Sequence, residues 1–189
     1  MSRLLKKYSL KYQYLKLEHE DTKEYFSTLE VKWKEIFGKY FSQIKTEIWI
    51  NEETGEIRDT PPGEEEPKVA KPDKLKKLYR KASTKAHPDK GGTEEEFDRI
   101  KSCYENNDFL GLLSYASEKN INVEVDDEDE ELLKASVFGL EKRIQTIEAS
   151  LIWNFFKGNN RMKVRVIRQL EHQHNIKIDE KEILNQLES

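Results

Sequence analysis

The chain has 189 residues, and 33 Lys and Arg against 37 Asp and Glu leave a net charge of −4. Charged residues make up 37% and hydrophobic ones 35%, a balance that favours long solvated helices and argues against one large single-core enzyme. With no global positive charge, any basic function must be local. A lone cysteine, Cys103, leaves no internal disulfide and no Cys-rich zinc site, which fits a reducing compartment with the cytoplasm as the default. No stretch approaches the roughly 18 consecutive apolar residues that a membrane helix needs, and no signal-length apolar run follows Arg3, Lys6 and Lys7.

In chain order, Tyr25, Leu29, Trp33, Ile36, Tyr40 and Ile44 recur at intervals of three and four and predict a helical region over 1–46. Leu10, Tyr14 and Leu17 keep that rhythm more weakly upstream, and Asp21 either caps a second helix or sits inside a continuous one. Residues 47–59 change period. Ile48 and Ile50 flank Trp49, Asn51 to Gly55 is turn-like, and Ile57 begins a return, so one small β-hairpin is expected, resting on a helix or the next domain. Residues 60–70 hold three of the five prolines together with Glu64, Glu65 and Glu66 and read as a linker.

Helical patterns return over 71–120, broken at His87-Pro-Asp-Lys-Gly-Gly92. Thr93 and Glu96 form a capping-box pattern, and Phe97, Ile100, Cys103 and Tyr104 share the buried face of the helix that follows. A short helix is expected from Asp108 to Lys119. Residues 121–131 are an acidic spacer, with seven acids in the eight positions from Glu124 to Glu131, whose end suits a helix N-terminus. Over 132–189, Leu133, Val137, Leu140, Ile144, Ile147 and Leu151 make a heptad seam. Gly158 and Asn159 end it, Met162, Val166 and Leu170 mark another helix, and Asp179 with Glu182 caps a last one. The seam could bind a client, form a homodimer, or pair with the Tyr25 to Ile44 stripe. Internal pairing is favoured because it leaves neither stripe exposed.

The stretch from Leu75 to Lys90 carries the chemistry. Leu75, Leu78, Tyr79 and Ala82 mark one helical face, while Lys74, Lys77, Arg80, Lys81 and Lys85 project elsewhere. Nine Lys or Arg against Asp73 and Asp89 give residues 68–90 a local charge of +7, which calls for an acidic partner. Basic helix, His-Pro-Asp loop and second helix together resemble a J domain, the module with which DnaJ-type co-chaperones engage DnaK-type (heat-shock-70 class) chaperone ATPases. The loop is also similar to that of viral tumour antigens. The resemblance implies that Asp89 pairs with an arginine near the chaperone's interdomain linker. It also implies that His87 and Pro88 hold the loop and that the cations Lys74, Lys77, Arg80, Lys81 and Lys85 dock on an acidic surface, favouring ATP hydrolysis in the partner.

The sequence departs from that family. A helix I with its aromatic and Leu-Gly pair is missing, and either the aromatic N-terminal helix or the Leu151 to Phe156 segment is expected to pack in its place. Ala82 and Ala86 are smaller than usual, and there is no zinc module. The expected fold is mainly α, a J-domain helical hairpin with long flanking coiled-coil-like helices and one small β-hairpin. The expected function is that of a co-chaperone for an unidentified client, not an enzyme, with no cofactor and no membrane partner. A coiled-coil scaffold with a J-like segment uncoupled from ATP hydrolysis is the alternative.

His172 and His174, at i and i+2, do not face one another on a helix and predict no metal site, and Cys103 is expected to be a buried spacer. Lys157, Arg161, Lys163, Arg165 and Arg168 form a second basic stretch, but without interleaved aromatics the pattern does not favour nucleic acid as a partner.

Overall fold

The computed structural model describes residues 3–41, 49–50, 57–58 and 71–188. The protein is mainly α, with eight α-helices among the described residues. They divide into two compact units: the first takes residues up to 22 and from 70 to 146, the second residues 23–69 and from 147 onward. None of the described helices is long and apolar enough to cross a membrane.

Helix α1 (Arg3–Phe41) runs unbroken through Asp21 and contributes to both units. In the first unit it buries Tyr12 and Leu15, with Leu4, Leu5 and Tyr8 packed beside them. Positions 5, 8, 12 and 15 are themselves spaced by threes and fours. The upstream stripe expected from Leu10, Tyr14 and Leu17 is instead the exposed face, at 59–64%. This part of α1 is apolar on two sides, and periodicity cannot say which side meets the core.

The first unit continues with α2 (Asp73–Ala86), α3 (Glu94–Glu105), α4 (Phe109–Glu118) and most of α5 (Glu130–Ala149). Helices α2 and α3 are antiparallel. Lys71, just before α2, donates to the Tyr104 and Glu105 carbonyls at the end of α3 at 2.7 and 3.0 Å, and His87, just after α2, meets the Phe97 ring. Leu75, Leu78, Ala82 and Ala86 of α2 are buried with Ile100 of α3, and the two alanines leave room for close helix approach. Tyr79 stacks on Tyr104 with ring centroids 4.2 Å apart. Phe109, Leu112 and Tyr115 of α4 complete this layer, each large apolar side chain contributing about 1.5–3 kcal/mol on burial.

The seam residues Leu133, Val137, Leu140 and Ile144 of α5 go into this same core, beside Tyr12 and Leu15. These four seam residues are thus buried within the first unit, whereas Leu151, the last of the seam, packs in the second unit with Trp33, Ile36 and Tyr40 of the Tyr25 to Ile44 stripe. The seam is also broken. Helix α5 ends at Ala149, and the Ser150 hydroxyl accepts from the Trp153 amide to start α6 (Leu151–Lys157), so Leu151 belongs to a new helix.

In the second unit, Trp33, Phe37 and Tyr40 of α1 pack with Phe155 of α6, Val166, Ile167 and Leu170 of α7 (Asn160–His174), and Ile183 of α8 (Glu180–Glu188). Trp33 and Phe155 meet edge to face at 5.3 Å. Asp179 caps α8 by accepting from the Glu182 amide, as the sequence predicts, while its own amide donates to the Tyr40 hydroxyl. Strands β1 (Trp49–Ile50) and β2 (Ile57–Arg58) pair antiparallel, Trp49 opposite Arg58 and Ile50 opposite Ile57. This two-residue pairing does not by itself support the hairpin expected over 47–59, whose turn, with the linker expected over 60–70, lies outside the described residues.

Candidate functional site: the charged loop and the basic helix face

Helix α2 stops where proline dictates. The residue before Pro88 is pushed out of the helical region, and His87 takes φ −62° and ψ 131°. Its amide still donates to the Ser83 carbonyl at 3.0 Å, closing the helix. Pro88–Lys90 then form one 3-10 turn. The Lys90 and Gly92 amides donate to the His87 carbonyl at 2.9 and 3.2 Å, and the Gly91 amide donates to the Pro88 carbonyl at 3.1 Å. Gly91 sits at φ +88°, a conformation that favours glycine. Gly92 is required for a different reason: a Cβ there would lie 2.1 Å from the Ala86 carbonyl oxygen. The six residues from His87 to Gly92 thus form a hydrogen-bonded corner pressed against the end of α2.

His87 orients that corner. Its Nδ1 accepts from the Asp89 amide at 3.2 Å, and its ring stands edge-on to Phe97 with centroids 5.7 Å apart. The Asp89 carboxylate comes within 3.6 Å of the same Nδ1, a charge pair only when the imidazole is protonated. The Asp89 side chain is 87% exposed and no Lys or Arg among the described residues pairs with it.

Lys77, Arg80, Lys81 and Lys85 are exposed on α2 and make no ion pair among the described residues. Lys77, Lys81 and Lys85 follow one another at i, i+4 and i+8, an arrangement of like charges that costs an isolated helix a few tenths of a kcal/mol per pair. Lys90 extends the exposed cations into the loop.

Lys74 separates from this set. Its ammonium is bonded to the buried Asp129 and lies 3.4 Å from Asp126, in the 3-10 turn region ahead of α5. Asp129 also accepts from the Asp126 amide at 3.0 Å, making a capping box. Part of the acidic spacer is therefore a structural cap tied to α2, a role that a charge run does not disclose.

Thr93 caps α3 as the spacing predicts, its hydroxyl accepting from the Glu96 amide at 3.1 Å. The Glu96 carboxylate turns to Lys119 and the Tyr115 hydroxyl on α4, and the Lys119 ammonium beside it is the main cause that holds its carboxyl below the usual range. Arg99 grips Glu118 with two hydrogen bonds of 3.0 and 2.9 Å. These bonds fix α4 on α3. At the other end of α4, bonds that the sequence pattern does not show, through Asp108, Tyr12 and Ser136, tie it to α1 and α5. Asp108 caps α4 through the Gly111 amide and accepts from the Tyr12 phenol, and Ser136 Oγ accepts from the Leu110 amide.

Cys103 is partly buried, and burial, helped by the Asp108 charge, pushes its thiol up to about 12. His172 is exposed and His174 half-buried, and no group of three potential metal ligands occurs among the described residues.

No family model matches the chain, and no solved structure is significantly similar to it. Similarity to curated proteins is confined to a short stretch. The chain is 56% identical over 39 residues to the chaperone protein dnaJ A6 of Oryza sativa subsp. japonica, which covers 21% of this chain and 9% of that protein. It is 54% identical over 39 residues to the chaperone protein dnaJ 2 of Arabidopsis thaliana, with the same coverage. With the DnaJ protein homolog 2 of Allium porrum the identity is 58% over 38 residues, 20% of this chain and 9% of that protein. The chain carries a J-domain-like segment, and the match spans about a tenth of the length of these relatives.

Proposed function

We propose that the protein is a co-chaperone that recruits a DnaK-type chaperone and stimulates its ATP hydrolysis through the His87-Pro88-Asp89 loop. The observation that carries the reading is Asp89: a carboxylate 87% exposed, held at a hydrogen-bonded corner with no Lys or Arg partner among the described residues, beside Lys77, Arg80, Lys81 and Lys85 of α2, which make no ion pair among those residues. A preorganised carboxylate of this kind suits a bidentate, charge-assisted pair with an arginine. Lys77, Arg80, Lys81 and Lys85 supply orientation and association rate on an acidic surface, so the encounter is transient and salt-sensitive. In this reading the protein makes and breaks no bonds itself, and the client is recognised outside the 71–120 segment. The cytoplasm remains the proposed location.

The test is single-turnover ATP hydrolysis by a DnaK-type chaperone with wild type, His87→Gln and Asp89→Asn. Acceleration by wild type, lost in both variants, supports the proposal. Equal rates with all three proteins overturn it in favour of a scaffold whose J-like segment is uncoupled.

A further inference from the structure

The second unit carries a cationic surface that the co-chaperone reading leaves unused. Helix α7 buries Val166, Ile167 and Leu170, while Arg161, Arg165, Arg168 and His172 are exposed at spacings of four, three and four, one stripe along the helix. None of the three arginine side chains has an ion pair or hydrogen bond with another described residue. No Asp or Glu occurs between Glu148 and Glu171, an interval that contains five Lys or Arg. The chain uses 25 lysines and 8 arginines, yet three of those arginines fall within eight positions here. Arginine presents a rigid fork that matches phosphate oxygens, a preference lysine lacks.

Two further observations give the stripe a ligand. Arg161, Val164, Arg165 and Arg168 line an open groove with Asn159 and Asn160, at the end of α7 where the helix dipole is positive. Just ahead of it, the Lys157 ammonium lies 4.2 Å from the centroid of the Tyr25 ring and 5.8 Å from that of Trp153, and the two rings meet edge to face at 5.7 Å. Tyr25 is 40% exposed and Trp153 partly so. Folding thus brings Tyr25, from far away in the sequence, beside Trp153 at the head of the basic stretch.

We propose that this surface binds single-stranded nucleic acid, with successive phosphates along Arg161, Arg165 and Arg168 and a base stacked at the Tyr25 and Trp153 rings. An acidic protein segment would use the cations and leave the exposed rings idle. A duplex keeps its bases stacked on one another, out of reach of those rings. A single strand uses both features, since a backbone-tracking cationic groove with stacking aromatics is the general design for such ligands.

The experiment is fluorescence anisotropy of a labelled oligothymidylate with the full chain over a series of salt concentrations. Each phosphate neutralised on a single strand contributes about 0.7 to the slope of log affinity against log salt, so Arg161→Gln/Arg165→Gln/Arg168→Gln is expected to lower that slope by about 2. Tyr25→Leu is expected to weaken binding several-fold with the slope unchanged. Because the arginines are exposed, circular dichroism melting of the triple variant should match wild type. Absence of salt-dependent binding, an unchanged slope in the triple variant, or an equal loss on changing Lys77, Arg80 and Lys81 of α2 instead overturns the proposal. So does a duplex of the same length bound as tightly, and so does polyglutamate bound as tightly, which would make the surface a dock for acidic protein.

Discussion

Tyr12 and Asp108, 96 positions apart, share a buried hydrogen bond in which the phenol donates to Oδ2. The other oxygen of Asp108 accepts from the Gly111 amide at 2.9 Å and caps α4. One carboxylate therefore ties α1 to the start of α4, and a Cβ on Gly111 would meet both Asp108 and Cys103 at under 3 Å. In this way α1 is anchored to the start of α4. Tyr12→Phe keeps the ring and removes the donor, so it is expected to lower unfolding stability by about 1–3 kcal/mol in urea denaturation. An unchanged midpoint would mean that the bond does not anchor α1.

The same cluster sets an alkaline limit. Burial first, and the Asp108 charge second, raise Tyr12 above its ordinary 10.0 and push Cys103 from 9.0 up to about 12. At pH 7 both groups are protonated in folded and unfolded chains alike and give no slope. Above pH 9 the unfolded chain releases the thiol proton while the folded one keeps it, so the unfolded state binds fewer protons and stability falls with pH. Tyr12 adds to the decline from pH 10. Stepped-pH denaturation should show a plateau near neutrality and a fall between pH 9 and pH 12. Cys103→Ala should move its onset toward pH 10, and parallel curves for wild type and variant would refute the assignment to the thiol.

Lys74 and Lys81 stand two turns apart on the same side of α2 and should separate by assay. The Lys74 ammonium satisfies Asp129, whose side chain is 5% exposed, whereas Lys81 faces solvent without an ion pair among the described residues. Lys74→Ala leaves a buried carboxylate short of a partner and is expected to cost about 1–3 kcal/mol of stability. Chaperone stimulation per folded molecule should be kept. Lys81→Ala should leave the melting temperature in place and reduce stimulation, increasingly at low salt where the docking charge matters most. The reverse pattern would return Lys74 to the docking surface.

These contrasts mark what the sequence discloses. The corner at His87 to Gly92, the Thr93 and Asp179 caps and the buried face of α2 follow from local chemistry, in which proline, glycine and short polar side chains act within a few residues. The side of α1 that meets the core does not. Leu5, Tyr8, Tyr12 and Leu15 compete with Leu10, Tyr14 and Leu17 as equally periodic stripes, and only Asp108 and the α5 seam decide between them. Lys74 and Lys81 are alike as letters too. Asp129, 55 positions on, tells them apart. The Tyr25 and Trp153 contact is likewise a product of tertiary packing: Trp153 lies just ahead of the second basic stretch in the sequence, but its partner Tyr25 arrives only when the chain is folded.

The two glycines of the loop give a final separation, between strain and fit. At Gly91 an alanine meets no neighbour within 4 Å, but it must hold φ +88°, so Gly91→Ala is expected to cost about 1–3 kcal/mol of strain in a loop that keeps its course. At Gly92 the backbone angle is permissive and the space is not. The added methyl would sit 2.1 Å from the Ala86 carbonyl oxygen, a backbone atom at the end of a packed helix, so the loop must move away from α2. That movement strains the bonds from the Lys90 and Gly92 amides to the His87 carbonyl and redirects the Asp89 carboxylate. Thermal melting and chaperone ATPase stimulation should therefore rank the variants differently. Gly91→Ala should lose stability while retaining most stimulation, and Gly92→Ala should lose stimulation out of proportion to its melting temperature. If both variants lose stimulation only as far as they lose folded protein, the placement of Asp89 by this corner is not what couples the loop to its partner.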